Sequence, residues 1–423
     1  MKEKLLQFIW QHQYFNTLQL RTSCEKNLKI LFPGEWNQNQ GADFLDAKVR
    51  IDETIWAGNV EIHTFSSDWN LHHHSKDANF GNVILHVVWR HDTQITGVNG
   101  DILPTLELES IIPNMLLNKY EILMNASDLI PCGKQFKAVQ EFLLVNWKEK
   151  LILQRLQRKS LLIHKFSIEN NFHWEETFWW LIARNFGATV NADCFENIAR
   201  SIPGNILAKH KHQVIHLEAI LFGQARLLDK NFTEAYPRML QKEFKFFKEK
   251  YKFSSLSLQL FFLRMRPANF PSVRLAQLAM LLKECNHLFS FVRESENLKD
   301  VMTMLDVTAN DYWHYHYRFD EPNTYQPKKV GNQMVGSIMI NTVIPTLFAY
   351  GSHLHEDAFV EKALSWLQQL SPENNAVTRH FKTIGFNNHH ASDSQSLIEL
   401  KQQYCDMKRC LDCDLGRSIL KLE

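Results

Sequence analysis

The sequence predicts an α+β chain in which a small sheet with flanking helices precedes a larger all-α region. Up to about residue 110, apolar residues alternate in short runs that are rich in β-branched side chains and separated by Gly, Asn and Asp. From about residue 111 they recur every three or four positions over long stretches. The chain has 423 residues, 45% hydrophobic and 22% charged, an ordinary globular composition with enough length for two or three domains.

The opening "EKLLQFIWQHQYF", residues 3–15, has the spacing of an amphipathic helix. It lacks the apolar core and small-residue cleavage site of a signal peptide. Five strand-like runs follow: "KNLKILFPG", "DFLDAKVRI", "TIWAGNVEIH", "NVILHVVWRH" and "LPTLELES". "NVILHVVW" is apolar on both faces except at His86, as expected of a central strand. Helical periodicity then dominates, as in "AVQEFLLVNWKEKLILQRLQRK", "WEETFWWLIARNFGA", "HQVIHLEAILFGQARLL" and "VRLAQLAMLLKECNHLF", punctuated by Pro203-Gly204 and by Pro267 and Pro271. The apolar run at 334–351 is broken by Asn341 and Pro345 and reads as a buried helix, so no membrane span is expected. The expected domains are an α/β region at 1–125, a helical region at 126–385, and a Cys-containing element at 386–423 that packs back on the rest.

A net charge of +1 excludes whole-molecule basicity of the nucleic-acid-binding kind, although a local basic groove is compatible with it. Seven cysteines without a secretory signal suggest reduced thiols and a cytoplasmic location. No Gly-rich phosphate loop and no Gly-x-Ser-x-Gly elbow occurs.

The densest chemistry lies between Gly41 and Asp77, "GADFLDAKVRIDETIWAGNVEIHTFSSDWNLHHHSKD". On a strand, Asn59, Glu61 and His63 share one face, and an antiparallel pairing brings Asp43 toward Glu61. Two such carboxylates can hold Mg²⁺ or Mn²⁺. His72-x-His74, if extended, supplies two more ligands, and Asp68, Asp77 and His86 lie near the same cleft. The same residues also suit a polar loop over a sheet edge and a core histidine bonded to backbone.

A turn, Asp43-Phe44, 17 residues between Asp43 and Glu61, and Gly-x-Val-Glu-x at Gly58–Ile62 resemble the PD-(D/E)XK nuclease superfamily. That resemblance implies a restriction-endonuclease-like mixed sheet and phosphodiester cleavage, with Asp43 and Glu61 on the metal and His63 in the place of the water-positioning Lys. An acid of the first helix often adds to such sites, and Glu3 is in position. The sequence departs from the pattern at Ala42, where Pro is usual, and at His63. The chain as a whole resembles an uncharacterised bacterial family, the domain of unknown function numbered 2851, through "FPGEWNQNQGADF", "GNVEIHTFSSDWNLHHHSKD", "NVILHVVW", "RPANFPSVRLAQLA" and "YCDMKRCLDCDLG".

"YCDMKRCLDCDLG" sets Cys405, Cys410 and Cys413 at spacings suited to one Zn²⁺ or an iron–sulfur cluster. The ten residues after Cys413 contain neither Cys nor His, so the fourth ligand comes from upstream, and Cys132 in "LIPCGK" is the first choice. The layout resembles the iron–sulfur staple of some helicase-associated PD-(D/E)XK nucleases. Arg264, Arg266 and Arg274 surround a Pro-bounded loop and a helix start, a place suited to phosphate or to pairing with acids. Two function classes follow. One is a metal-dependent nuclease or nuclease-derived DNA- or RNA-binding protein. The other is a non-enzymatic scaffold stapled by a Cys₄ metal or Fe–S site.

Overall fold

In a computed structural model of the chain, the described residues are 1–37, 39–136, 141–263, 265–285 and 287–421. They form an α+β protein with a small mixed sheet near the N-terminus and a larger helical region. Two compact units divide the chain: Met1–Trp147 with Thr383–Gly385 and Leu400–Glu423, and Lys148–Lys382 with Phe386–Glu399. The sequence placed its boundaries at 125 and 386; the C-terminal stretch from Leu400 is grouped with the N-terminal sheet.

In the first unit, helix α1 (Glu3–His12) precedes a sheet of β1 (Leu28–Phe32), β2 (Glu35–Trp36), β3 (Phe44–Ile51), β4 (Thr54–Phe65), β5 (Val83–Arg90) and β6 (Thr105–Glu107). The sheet order is β1-β3-β4-β5-β6, with β2 paired to β3. β1, β3 and β4 form an antiparallel meander. Its β3–β4 turn is two residues long, with Asp52 left-handed at φ 51°. β5 then returns parallel to β4, and β6 parallel to β5.

Two local features aim the site. The β3–β4 register shifts between Phe44 and Ala47, and Asp46 there is left-handed at φ 56°. This bulge inserts one residue, so Phe44 and Ala47 both stay buried while Asp43 turns toward β4. At Gly58 a Cβ would meet Asn82 O and Ile84 Cγ2, each at 2.5 Å. Only glycine lets β4 lie this close to the start of β5.

α1 buries Leu5, Leu6, Phe8, Ile9 and Trp10 and packs on β4. Trp10 Nε1 donates to Pro33 O at 2.9 Å. Glu3 and Gln7, one turn apart, share another face of the helix. α2 (Asp68–Leu71) and two 3₁₀ turns, His74–Lys76 and Ala78–Phe80, fill the crossover from β4 to β5. Helix α3 (Asn114–Asn125) contacts the C-terminal helix Asp414–Lys421.

The second unit is helical apart from a two-stranded ribbon, β7 (His316–Arg318) with β8 (Glu321–Pro322). Its core is an apolar cluster to which the helices Trp174–Phe186, Val214–Gln224 and Pro271–Glu284 contribute. The helical run Asn332–Leu354 is long and apolar enough to cross a membrane by composition, but most of it is buried in this core. The start of the helix expected from Ala138 lies outside the described residues; α4 is described over Glu141–Glu169.

Candidate metal centre

The pairing of Phe44 with Val60 sets Asp43 beside Glu61. Asp43 N donates to Glu61 Oε2 at 3.0 Å, and Ile62 N donates to Asp43 Oδ2 at 3.0 Å. Each carboxylate is thus clamped by the backbone of the other strand. Gln7 Nε2 donates to Asp43 Oδ1 at 2.8 Å. Neither acid has a Lys or Arg partner among the described residues. Burial raises the Asp43 pKa to about 7, against the lowering effect of Ile62 N–H, with Glu3 adding to the rise. Burial and then the neighbouring Asp43 push Glu61 up to about 9.

His63 follows Glu61 by two residues on β4 and is 1% exposed. Its Nδ1 lies 2.8 Å from His86 Nε2 on β5. Its Nε2 lies 3.1 Å from His72 Nδ1, 3.5 Å from Glu61 Oε1 and 4.0 Å from Glu3 Oε1. His74 Nε2 is also 3.5 Å from Glu61 Oε1 and is buried without a hydrogen-bond partner. One ligand atom from each of His63, His72 and His74 falls within 4.8 Å of the other two.

The crossover delivers His72 and His74 differently from the extended segment expected. His72 closes α2, His73 is left-handed at φ 60°, and His74 opens a 3₁₀ turn. The reversal at His73 lets both neighbours face His63. A left-handed non-glycine residue is uncommon and concentrates at functional turns. Trp69, fully buried, packs against His74 and His86 with ring centroids at 5.3 and 5.5 Å, and Phe80 stacks on His74 at 3.8 Å. These aromatics fix the imidazole planes.

The donor set fits a first-row transition metal. Ligands about 2.0–2.1 Å from a tetrahedral ion stand roughly 3.3 Å apart; His63 and His72 are 3.1 Å apart, Glu61 is 3.5 Å from His63 and from His74, and the three imidazole atoms lie within 4.8 Å of one another. Burial, with His74 and His72 nearby, pushes the His63 pKa down to about 3, so the ring is neutral with a lone pair to give. Ligation through Nε2 would place the ring proton on Nδ1, with His86 Nε2, 2.8 Å away, as its acceptor, the bond that orients a ligating histidine. Glu61 Oε2 is held by backbone, which leaves Oε1 to face the rings. His72 is exposed, so solvent reaches the cluster on that side.

Asp43, Glu61, His63, His72 and His74 are therefore brought together, with Glu3 and His86 beside them. Gln7 was missed by sequence reasoning; its signal was the one-turn spacing from Glu3. Asp68 and Asp77 serve the loop, accepting from Phe65 N and Asn79 N at 2.9 Å each. Arg266 and Arg274 belong to the second unit. Arg266 is exposed, whereas the Arg274 guanidinium is buried and bonded to Gln277 and Asn269. Arg264 lies outside the described residues. Cys132, Cys405, Cys410 and Cys413 are in the first unit.

Residues 3–376 match the profile of a family described as "Protein of unknown function (DUF2851)". No curated protein and no solved structure matches the chain.

Proposed function

Starting from a chain that belongs to the DUF2851 family, we propose that it is a metal-dependent phosphodiesterase acting on nucleic acid. The observation that carries this reading is the grouping of three imidazoles, two of them 3.5 Å from the buried Glu61 carboxyl, which has no Lys or Arg partner among the described residues. The order of elements supports the phosphodiester class. A small mixed sheet with flanking helices is what the PD-(D/E)XK resemblance implies, and that resemblance maps Asp43 and Glu61 to its acid positions. With His63 in the Lys position and His72 and His74 added, the donor set favours Mn²⁺, Fe²⁺ or Zn²⁺ over Mg²⁺.

A bound metal would lower the pKa of a coordinated water and polarise a phosphoryl oxygen. The chain does the remaining work. Backbone clamps hold Asp43 and Glu61, and Gln7 fixes the second Asp43 oxygen. His86 orients His63. Glu3, half-exposed with its pKa raised by burial, stands at the open side as the group placed to accept a proton from water.

A structural metal is the second reading, favoured by the deep burial of His63 and Glu61. Cleavage of single- and double-stranded DNA and RNA by protein loaded with Mn²⁺, Zn²⁺ or Mg²⁺ separates the two. The catalytic reading expects cleavage with at least one transition metal and a loss of roughly 100-fold or more in Glu61→Gln and His72→Ala, as for removal of groups that hold or tune a catalytic ion. Cleavage at the wild-type rate in both variants sinks it. A full complement of metal without cleavage of any substrate selects the structural reading.

A further inference from the structure

We propose that Cys132, Cys405, Cys410 and Cys413 hold an iron–sulfur cluster, a second inorganic site independent of the histidine centre. All four are free thiols, and three of them are buried at 6–8% exposure. All four belong to the first unit, and Lys408, between Cys405 and Cys410, bonds the carbonyls of Met124 and Ala126 just upstream of Cys132. Cys405 is repelled by Cys413, Cys132 and Cys410, Cys413 by Cys132 and Cys410, and Cys132 by Cys410. Each thiol therefore feels the other three, although Cys132 is far from the rest in sequence.

The local backbone is built for this grouping. Cys405 ends a π-helical turn, Lys401–Cys405, and Lys408 reverses the chain at φ 50°. Lys408 Nζ donates to Met124 O at 2.5 Å and to Ala126 O at 2.7 Å, which ties this reversal to the end of α3. At Gly416 a Cβ would fall 2.1 Å from Cys410 O, so glycine alone lets the C-terminal helix close on the loop. The backbone N–H groups of Leu415 and Gly416 act to lower the Cys413 pKa against the effect of burial, an environment that suits a thiolate. Without a cation the set stays protonated: burial pushes the thiols of Cys132 and Cys410 up to about 11 and that of Cys413 to about 12.

Spacing separates the two metals that four cysteines take. One Zn²⁺ at about 2.3 Å from each sulfur holds the sulfurs roughly 3.8 Å apart. Any three would then form a group as tight as His63, His72 and His74, whose ligand atoms lie within 4.8 Å, yet among the described residues no three thiols do. Thiols that sense one another but stand wider than a single ion permits fit a cluster, whose cysteine sulfurs lie up to roughly 6–7 Å apart. Bound there, the cluster joins the Cys132 segment to the last residues of the first unit.

The test uses the full chain in a His72→Ala background, so that iron at the histidine centre is not counted. The protein is purified anaerobically and reconstituted with ferrous iron and sulfide. The expected result is about two or four irons per chain, equimolar acid-labile sulfide and broad visible charge-transfer absorption. Cys132→Ser and Cys410→Ser should each lower iron and sulfide at least tenfold, while Cys24→Ser and Cys194→Ser leave them unchanged. If a serine variant fails to fold, the stoichiometry of the parent chain decides. Stoichiometric zinc without sulfide, disulfides among these cysteines, or full cluster content in both Cys132→Ser and Cys410→Ser overturns the proposal.

Discussion

Glu61 is held so that one oxygen faces backbone N–H and the other faces two imidazoles, and its carboxyl is protonated at neutral pH without a cation. A metal must displace that proton. Titration calorimetry of the metal-free protein at pH 7, in buffers of different ionisation enthalpy, should therefore show release of about one proton on binding, with affinity rising with pH below about 9. Glu61→Gln should abolish the release and weaken binding roughly 100-fold or more, beyond the range for outer-shell groups. His86 holds His63 from behind and touches no substrate position, so His86→Phe should cost about 10–100-fold in metal affinity with the fold retained. Asp43 and Glu61 were legible in the sequence because strand alternation and the 17-residue separation fix them relative to each other. Gln7 and the role of His86 were not, because each depends on how α1 or β5 packs against β4, and that packing leaves no periodic trace.

The strands were legible because alternating burial imposes a period of two, and the structure has strands in all five runs. The His72–His74 turn was not, since an isolated left-handed residue has no sequence signature outside Gly and Asn. Gly58 belongs to β4 as a whole. A Cβ there would strike Asn82 O, just before β5, and Ile84 Cγ2, each at 2.5 Å, so Gly58→Ala should separate the strands. Chemical denaturation should show a loss of about 1–3 kcal/mol, the usual cost of overpacking, together with weaker metal binding. In the second unit, the helix Val214–Gln224 carries Glu218, which is fully buried and accepts from Tyr236, Asn310 and Trp313. Burial raises its pKa to about 7. The folded chain then keeps a proton that the unfolded chain has lost, so this stability is present below about pH 4.5 and is lost as pH rises through 7. The loss is on the order of 3 kcal/mol, from a raise of 4.5 to about 7. Glu218→Gln mimics the protonated form and should flatten this part of the stability–pH profile; an unchanged slope between pH 4.5 and 7 would contradict the assignment.

At the scale of the molecule, the C-terminal stretch belongs to the unit that carries the candidate metal centre. Lys4 on α1 pairs with Asp412 at 2.9 Å, and Trp147 packs against Tyr404 with ring centroids at 5.2 Å. α1 in turn carries Glu3 and Gln7. Deleting residues 400–423 should therefore abolish metal binding although every histidine and carboxylate of the site remains; calorimetry should find the transition of the first unit lost. The cysteine spacing hinted at this return in the sequence, but α1, the partner of Asp412, could be identified only from the fold. The central claim is that His63, His72, His74 and Glu61 together hold a transition metal. Anomalous diffraction from crystals of the full chain grown with Zn²⁺ or Mn²⁺, collected at that metal's absorption edge, tests it most directly. The account predicts a peak about 2.0–2.2 Å from one nitrogen of each of the three histidines and from Glu61 Oε1. Crystals of metal-saturated protein with no peak among these residues, or with the metal only elsewhere, would contradict it.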